Sequence, residues 1–418
     1  MSKIKKKKLF FHCGTINPIL ATELELINYA LKNDDEVILI NAINGLDSTY
    51  WNPFLFKPFQ NLCSSKFERS IEKLKKNKNF KLIYFENENL NPNKVKIPNL
   101  SSISKLKKIK FDNAPIGYGI ASSIQTLLKD NKPNLALKEN KVLIHRKYFT
   151  SIKIYKFVKK IILEYQPNEV FIFNGRINES WTIVCLAEKY KIDYFTYEVA
   201  NLKNSYYEIH KNKLPMFYDY NIKFPKKINK LKVLRRKKQI DRFINKDPIF
   251  FNNLSWVNHT LSFKKNHLPK NFNKKLRNIC IFNNSLEELD SVRERALTNP
   301  NKSPNDIIFK IIKKFSKNKN FFFYLRLHPN LIVKNILTKN ITTQFKEIIK
   351  RGKNYNNLKI IWPEEKFDSY ELLKNCEKTI TFGSTIGFEA SYIGKPVICV
   401  NNTKAKVTNY AYFPKSLN

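Results

Sequence analysis

Glycine is scarce in this sequence. Nine occur in 418 residues, about 2% against a usual ~7%, which excludes collagen-like and Gly-rich low-complexity architecture. Each glycine that is present then marks a place where the backbone admits no side chain. Three fall between Gly383 and Gly394, two form a predicted turn at Gly117-Tyr118-Gly119, and one is Gly175 in Phe173-Asn174-Gly175-Arg176. Cysteine is equally thin. Cys13, Cys63, Cys185, Cys280, Cys376 and Cys399 stand far apart with no CxxC pair, so they read as buried thiols in a reducing compartment, not as a disulfide framework. No window approaches the ~18 apolar residues of a membrane span, and the apolar stretch Leu9 to Gly14 is too short for a secretory signal. The expectation is a cytoplasmic protein, with at most peripheral contact at the cytoplasmic face of the inner membrane.

Acidic residues are also few. There are 35 Asp and Glu against 76 Lys and Arg, a net charge of +41. A field of that size attracts phosphate backbones and anionic lipid. Only 11 of the basic residues are Arg, however, and Lys travels with Asn and Ile along the whole chain. Nucleic-acid readers concentrate charge on one stripe and use Arg forks, whereas the runs Lys5 to Lys8 and Lys226 to Lys238 are scattered. The balance therefore predicts a solvated lysine surface and no nucleic-acid partner, with weak membrane attraction as the second reading.

What is present is globular: 42% hydrophobic and 13% aromatic residues in a chain long enough for two cores. Short apolar runs alternate with amphipathic stretches, the pattern of βα units around parallel sheets. Strands are predicted over Leu9 to Cys13, Glu36 to Asn41, Phe80 to Phe85, Glu169 to Phe173 and Tyr194 to Glu198, with helices over Ile19 to Leu31 and Ile152 to Leu163. A second alternation begins at Asn278 to Phe282 and continues through Phe321 to Leu327, Leu358 to Trp362, Lys378 to Phe382 and Val397 to Val400. Helices are predicted between these strands, over Asp306 to Phe315, Thr343 to Lys350, Tyr370 to Asn375 and Ile386 to Ile393. The prediction is an α/β protein of two Rossmann-like lobes, residues 1–273 and 274–418, with any ligand at the carboxyl ends of parallel strands that face a cleft.

Five segments could carry chemistry. In Thr381-Phe382-Gly383-Ser384-Thr385-Ile386-Gly387-Phe388-Glu389-Ala390 a strand ends, a Gly-Ser-Thr turn follows and a helix starts. Unpaired N–H groups of that first turn, with the Ser384 and Thr385 hydroxyls, suit a phosphate, and Gly383 and Gly387 leave room for it. Glu389 lies one turn on, where a carboxylate accepts from ribose hydroxyls, or simply favours the helix dipole. The second is Arg326-Leu327-His328-Pro329, in which Pro329 stops a strand and presents His328 at its carboxyl edge. Arg326 is either a phosphate contact or a structural ion pair. The third, Asn283-Asn284-Ser285, follows a strand and can bond a sugar or phosphate through its Asn and Ser side chains, Ser285 first among them, or form an ordinary Asx turn. In the first half, Asn174-Gly175-Arg176 follows a strand, Glu179 lies on the next helix, and Glu198 closes the following strand. Glu198 is placed to take a proton from an acceptor hydroxyl, or to pair with Arg176, with Glu179 in reserve. Asp112 to Gly119, including Gly117, forms a further predicted acceptor-side loop. No Asp-x-Asp or cluster of metal ligands appears, so neither metal nor cofactor is predicted.

Taken in order, Phe-Asn-Gly-Arg at 173–176, Glu198, Asn-Ser-x-x-Glu at 284–288, Arg-x-His-Pro at 326–329, Asp368-Ser369-Tyr370 and Gly-Ser-Thr-x-Gly-x-Glu-Ala at 383–390 resemble bacterial capsule and surface-polysaccharide glycosyltransferases. The resemblance spans roughly residues 112 to 400 and is greatest to Kdo transferases and polysialyltransferases, which use CMP-linked sugars. It implies a GT-B fold, a nucleotide-sugar donor on the second lobe at His328, Ser384 and Thr385, and a glycan or glycolipid acceptor on the first near Arg176 and Glu198. The sequence departs from the pattern in carrying Glu198-Val199-Ala200 where an acidic pair is followed by Gly. Two rivals remain at this stage. UDP-N-acetylglucosamine 2-epimerases share the His-Pro-Asn and the Gly-rich turn before Glu-Ala, and a non-enzymatic glycan- or membrane-binding protein could use the lysine surface alone.

Overall fold

The computed structural model describes residues 5–86, 102–199, 208–215, 230–245, 267–287, 303–328, 331, 342–365, 368–400 and 410–414. These fall into two compact units, the first within residues 5–215 together with Glu287 and the second within 230–286 and 303–414.

The first unit is built on β1 (Lys7–His12), β2 (Glu36–Asn41), β3 (Phe80–Tyr84), β4 (Glu169–Phe173), β5 (Asp193–Glu198) and β6 (Glu208–Lys211), in the sheet order β3-β2-β1-β4-β5-β6. The first five strands are parallel; β6 runs antiparallel to β5 at the edge. Strand order reverses between β1 and β4, so the ends of these two strands form a topological switch point. Helix α1 (Ile19–Lys32) buries Ile19, Leu20, Leu26, Ile27, Ala30 and Leu31, spaced to cover one face of the sheet. It joins α2 (Lys57–Ile71) over a core that includes Phe10, Leu39, Phe67 and Phe171. Each such side chain contributes about 1.5 to 3 kcal/mol by leaving water. On this unit α3 (Ile103–Lys107), α4 (Gly117–Leu128), α5 (Lys138–Tyr165) and α6 (Asn178–Lys189) complete the helices among the described residues.

Two of these differ from the sequence expectation. The prediction of a helix over 152–163 found only the second half of α5, because its first half buries Lys147, Thr150 and Ser151, which break the apolar period. Gly117-Tyr118-Gly119 is not a turn but the start of α4. A Cβ on Gly117 would stand 2.1 Å from the Leu106 carbonyl oxygen, and one on Gly119 would stand 2.6 Å from Trp181 Cβ. Both glycines therefore serve close helix packing, and Gly117 is not part of a ligand loop.

The second unit holds a five-stranded parallel sheet ordered β11-β10-β7-β8-β9. Its strands are β7 (Arg277–Phe282), β8 (Phe321–Arg326), β9 (Leu358–Ile361), β10 (Lys378–Thr381) and β11 (Val397–Cys399). The described helices are α7 (Lys230–Ile244), α8 (Pro304–Lys314), α9 (Thr343–Gly352), α10 (Ser369–Asn375) and α11 (Ile386–Tyr392). One core lies on the α8–α9 face around Ile281, Phe309, Leu325 and Phe345. The other lies on the α10–α11 face around Cys280, Tyr324, Leu372 and Ala390. The switch point here falls between β7 and β10. The chain thus carries two Rossmann-like α/β units. No described helix is long and apolar enough to cross a membrane, and all six cysteines are free and buried.

Candidate functional site

Three strand ends meet at the switch point of the second unit, because β7 lies between β10 and β8. Asn283 follows β7 and is 2% exposed. Its Oδ1 accepts the backbone N–H of His328 at 2.8 Å, which ties the loop after β8 to the end of β7 and fixes the amide orientation. The Nδ2 donor at the other end of the same amide is buried and meets no acceptor. A buried amide hydrogen without a partner costs about 1 to 3 kcal/mol, so its retention calls for a function. The loop is stiff: the Leu286 N–H donates to Gln344 Oε1 at 3.0 Å, and Gln344 Nε2 donates to the Asn284 carbonyl at 3.0 Å. Ser285 lies buried inside it.

After β10 the chain turns through Gly383, whose φ of +87° only glycine adopts without strain. The Ser384 N–H donates to Thr381 Oγ1 at 3.3 Å, and the Ser384 carbonyl accepts from the Gly387 N–H at 3.1 Å. Thr385, exposed, precedes α11. The role expected for Gly387 is corrected: a Cβ there would stand 2.8 Å from Thr381 Cγ2 and 3.0 Å from Tyr410 OH, so this glycine makes room for protein, not for a ligand. Glu389 is half-buried, and its Oε2 accepts from the Tyr370 hydroxyl at 2.9 Å. Burial raises its carboxyl to about pH 7, with the Tyr370 hydrogen bond pulling the other way.

Arg326 is buried, and its guanidinium donates to the carbonyls of Trp362 and, at 3.3 Å, Pro363. Burial lowers its pKa to about 10. Its fork ties the end of β8 to the segment after β9. Pro329 lies outside the described residues.

At the switch point of the first unit, Asn174 and Gly175 take positive φ values of +60° and +79° directly after β4. The Asn174 N–H donates to the Tyr197 carbonyl at 3.0 Å, its Oδ1 accepts the Arg176 N–H at 3.2 Å, and its Nδ2 donates to Glu198 Oε1. Asn174, Arg176 and Glu198 are thereby held together through the amide, and not through an Arg176–Glu198 ion pair. Arg176 instead donates from Nη1 to Ser122 Oγ at 3.1 Å and Thr126 Oγ1 at 2.9 Å, while its Nε is buried without a partner.

Glu179 and Asp112 do not join them. Glu179 is fully buried; its Oε1 accepts from Lys147 Nζ at 3.0 Å, its Oε2 is buried without a partner, and burial holds the Lys147 pKa below its usual value. Asp112 accepts from Lys189 at 2.8 Å, Lys159 at 3.1 Å and Tyr155 OH at 2.9 Å, and these donors hold its carboxyl well below the usual range. Lys189 ends α6, a helix about 18 Å long at 1.5 Å per residue, and Arg176 precedes its other end. Asp112 therefore belongs to a different edge of the unit.

Sequence reading missed three features. Within the loop after β7 the sequence favours Ser285 among the Asn and Ser side chains, whereas the structure singles out Asn283, whose position directly after an apolar strand is the available signal. A buried network joins His12 Nδ1 to Glu23 Oε1 at 3.1 Å and the Tyr197 hydroxyl to Glu23 Oε2 at 2.8 Å, locking β1, α1 and β5 together. The loop after β2 and the first turn of α2 carry Tyr50, Trp51, Phe54, Phe56 and Phe59 within ten residues, a density well above the 13% of the whole chain. Among the described residues no group of three or more His, Cys, Asp or Glu side chains is arranged to hold a metal ion.

No protein-family profile and no curated protein matches this sequence. Among solved structures it is similar to the KpsC beta Kdo 2,4 transferase of Thermosulfurimonas dismutans, at 16% identity over 56% of this chain and 69% of that one, with a TM-score of 0.38. It is also similar to UDP-GlcNAc 2-epimerases. For that of Methanocaldococcus jannaschii the identity is 14% over 99% and 89% of the two chains, with a TM-score of 0.27. For that of Neisseria meningitidis bound to UDP-GlcNAc it is 14% over 97% and 85%, with a TM-score of 0.30. At these values the likeness carries no information on substrate.

Proposed function

We propose that this chain is a glycosyltransferase of capsule or surface-polysaccharide biosynthesis. It moves a sugar from a nucleotide donor, CMP-linked, to a hydroxyl of a glycan or glycolipid acceptor by direct displacement. The observation that carries the reading is the buried, unpartnered Asn283 amide donor at the switch point, tied to the His328 loop and one strand from the Gly383-Ser384 turn. A cluster of donors at that point of an α/β sheet fits a phosphate.

In this reading the phosphate of the donor lies on the second unit at Asn283, His328 and Ser384. As the bond from the sugar carbon to the phosphate oxygen breaks, that oxygen keeps the electron pair and these donors stabilise its charge. The acceptor lies on the first unit. Glu198, held by Asn174, takes the proton of the attacking hydroxyl as the new C–O bond forms, and Arg176 orients the acceptor beside it. Any meeting with the inner membrane is peripheral, through the lysine-rich surface.

The test is a thermal-shift screen with CMP, CDP, UDP and GDP, followed by nucleotide release. A ligand at ~100 times its Kd adds about 2.7 kcal/mol of stability. Stabilisation by CMP, together with CMP release from a CMP-sugar only when acceptor is present, supports the reading. Release without acceptor points to an epimerase or hydrolase, and failure of every nucleotide to stabilise the protein rejects a donor site.

A further inference from the structure

The loop between β2 and α2 sets Trp51 over the switch point of the first unit. Its indole is 36% exposed, stands 6.2 Å centre to centre from the Phe173 ring and packs edge-on against Tyr50 at 5.1 Å. Phe173 immediately precedes Asn174, so the ring lies beside the Asn174–Arg176 turn. Trp51, Phe173, Ile177, Ser180 and Thr15 are among the residues around a crevice with about 10 Å³ of free space, enough for one water-sized group. Thr15, 4% exposed, has a buried hydroxyl with no hydrogen-bond partner. A partly exposed indole beside a small crevice lined by an unsatisfied hydroxyl is neither a closed core nor a generic apolar patch.

We propose that this is a saccharide subsite: one pyranose ring of the acceptor lays its C–H face on Trp51 and places one hydroxyl in the crevice against Thr15 Oγ1. The face of an indole carries negative charge and attracts the weakly positive C–H bonds of a sugar ring face, while the ring's hydroxyls point outward to polar partners. The crevice has room for one water-sized group beside Thr15, so the subsite favours a ring with an unsubstituted hydroxyl at that position. The inference rests on the reading that the first unit holds the acceptor, and it names the part of that acceptor next to the reacting hydroxyl.

Saturation-transfer NMR of the full chain tests it with the methyl glycosides of a neutral hexose, an N-acetylhexosamine and a sugar acid. At least one should show transfer concentrated on the C–H protons of one ring face. Trp51→Ala should reduce that transfer at least 5-fold, Trp51→Phe should retain most of it, and Thr15→Val should weaken binding about 3- to 10-fold, the loss of one hydrogen bond. Melting temperatures within a few degrees of wild type show that the variants are folded. Absence of any saccharide signal in the wild type, or an unchanged signal in folded Trp51→Ala, overturns the subsite. So does Trp51-dependent sedimentation with phosphatidylglycerol vesicles in place of saccharide binding. If Trp51→Ala is silent while Glu198→Gln abolishes acceptor-dependent nucleotide release, the acceptor reading stands and the stacking platform falls. If saccharide binding depends on Trp51 but nucleotide release ignores acceptor, the platform stands and the transferase reading falls.

Discussion

Replacing Asn283 by Asp changes one end of one buried side chain. The Oδ1 that accepts the His328 N–H at 2.8 Å is kept, and the unpartnered Nδ2 donor becomes an oxygen. If that donor serves a phosphate, the variant loses a hydrogen bond to a charged group, about 1.5 to 3 kcal/mol, which is roughly 10- to 150-fold in Kd. An ionised carboxylate facing the phosphate adds repulsion, so the upper half of that range applies at neutral pH. Burial at 2% exposure also raises the pKa of the introduced Asp. As pH falls through that pKa the carboxyl gains an O–H donor and part of the lost affinity returns. The ratio of variant to wild-type Kd for CMP should therefore shrink from pH 8 to pH 5.5. Titration calorimetry at several pH values measures this, with the wild type correcting for titration of CMP itself. A folded Asn283→Asp protein that binds CMP as tightly as wild type at pH 8 would refute the reasoning.

Three further outcomes follow from other parts of the molecule. Glu198→Gln should lower turnover by at least ~100-fold with nucleotide affinity unchanged, measured by acceptor-dependent nucleotide release; retained turnover at saturating acceptor moves the base elsewhere. Glu179→Ala leaves the buried Lys147 cation unpaired and should cost about 3 to 5 kcal/mol in urea unfolding, whereas Lys147→Met with Glu179→Leu should cost far less; equal losses would deny the pair its role. Glu389 binds its proton more tightly folded than unfolded, so its contribution to stability is full below pH ~4.5 and is lost as pH rises through about 7. Glu389→Gln should flatten the fall in melting temperature over that window, and an unchanged slope would contradict the burial effect.

The strands and most helices of both units were legible because a parallel sheet covered on both faces demands apolar runs, and helices covering it demand a 3.6-residue period. The second unit follows the rule closely: Ile386 to Ile393 was expected as a helix, and α11 spans Ile386–Tyr392. The pattern fails where polar groups are buried in pairs. Lys147 with Glu179 and Ser151 with Asn178 pair inside the protein, yet in sequence they read as surface. Arg326 shows a second limit. Its place on a strand beside His328 was readable, but the carbonyls it binds lie 36 and 37 residues away, and only the fold reveals them. Glycine scarcity located Gly117 and Gly387 as constrained positions without telling whether a ligand or a neighbouring helix imposes the constraint.

The antiparallel strand β6 has a consequence beyond the site. A parallel sheet that ended at β5 would leave the backbone of Asp193–Glu198 open along its outer side, a template on which another chain can add a strand. β6 occupies that side with four residues, Glu208-Ile209-His210-Lys211, three of them able to carry charge, and Lys211 is paired with Asp193 across the join at 2.6 Å. Two acidic side chains, Glu198 and Glu208, face each other at its other end. The strand is too short and too polar to recruit a further one, so it acts as a stopper against edge-to-edge association. A fragment cut between 199 and 208 would keep the Asn174, Arg176 and Glu198 cluster but uncover the β5 edge, and its solubility, not its chemistry, would limit its use.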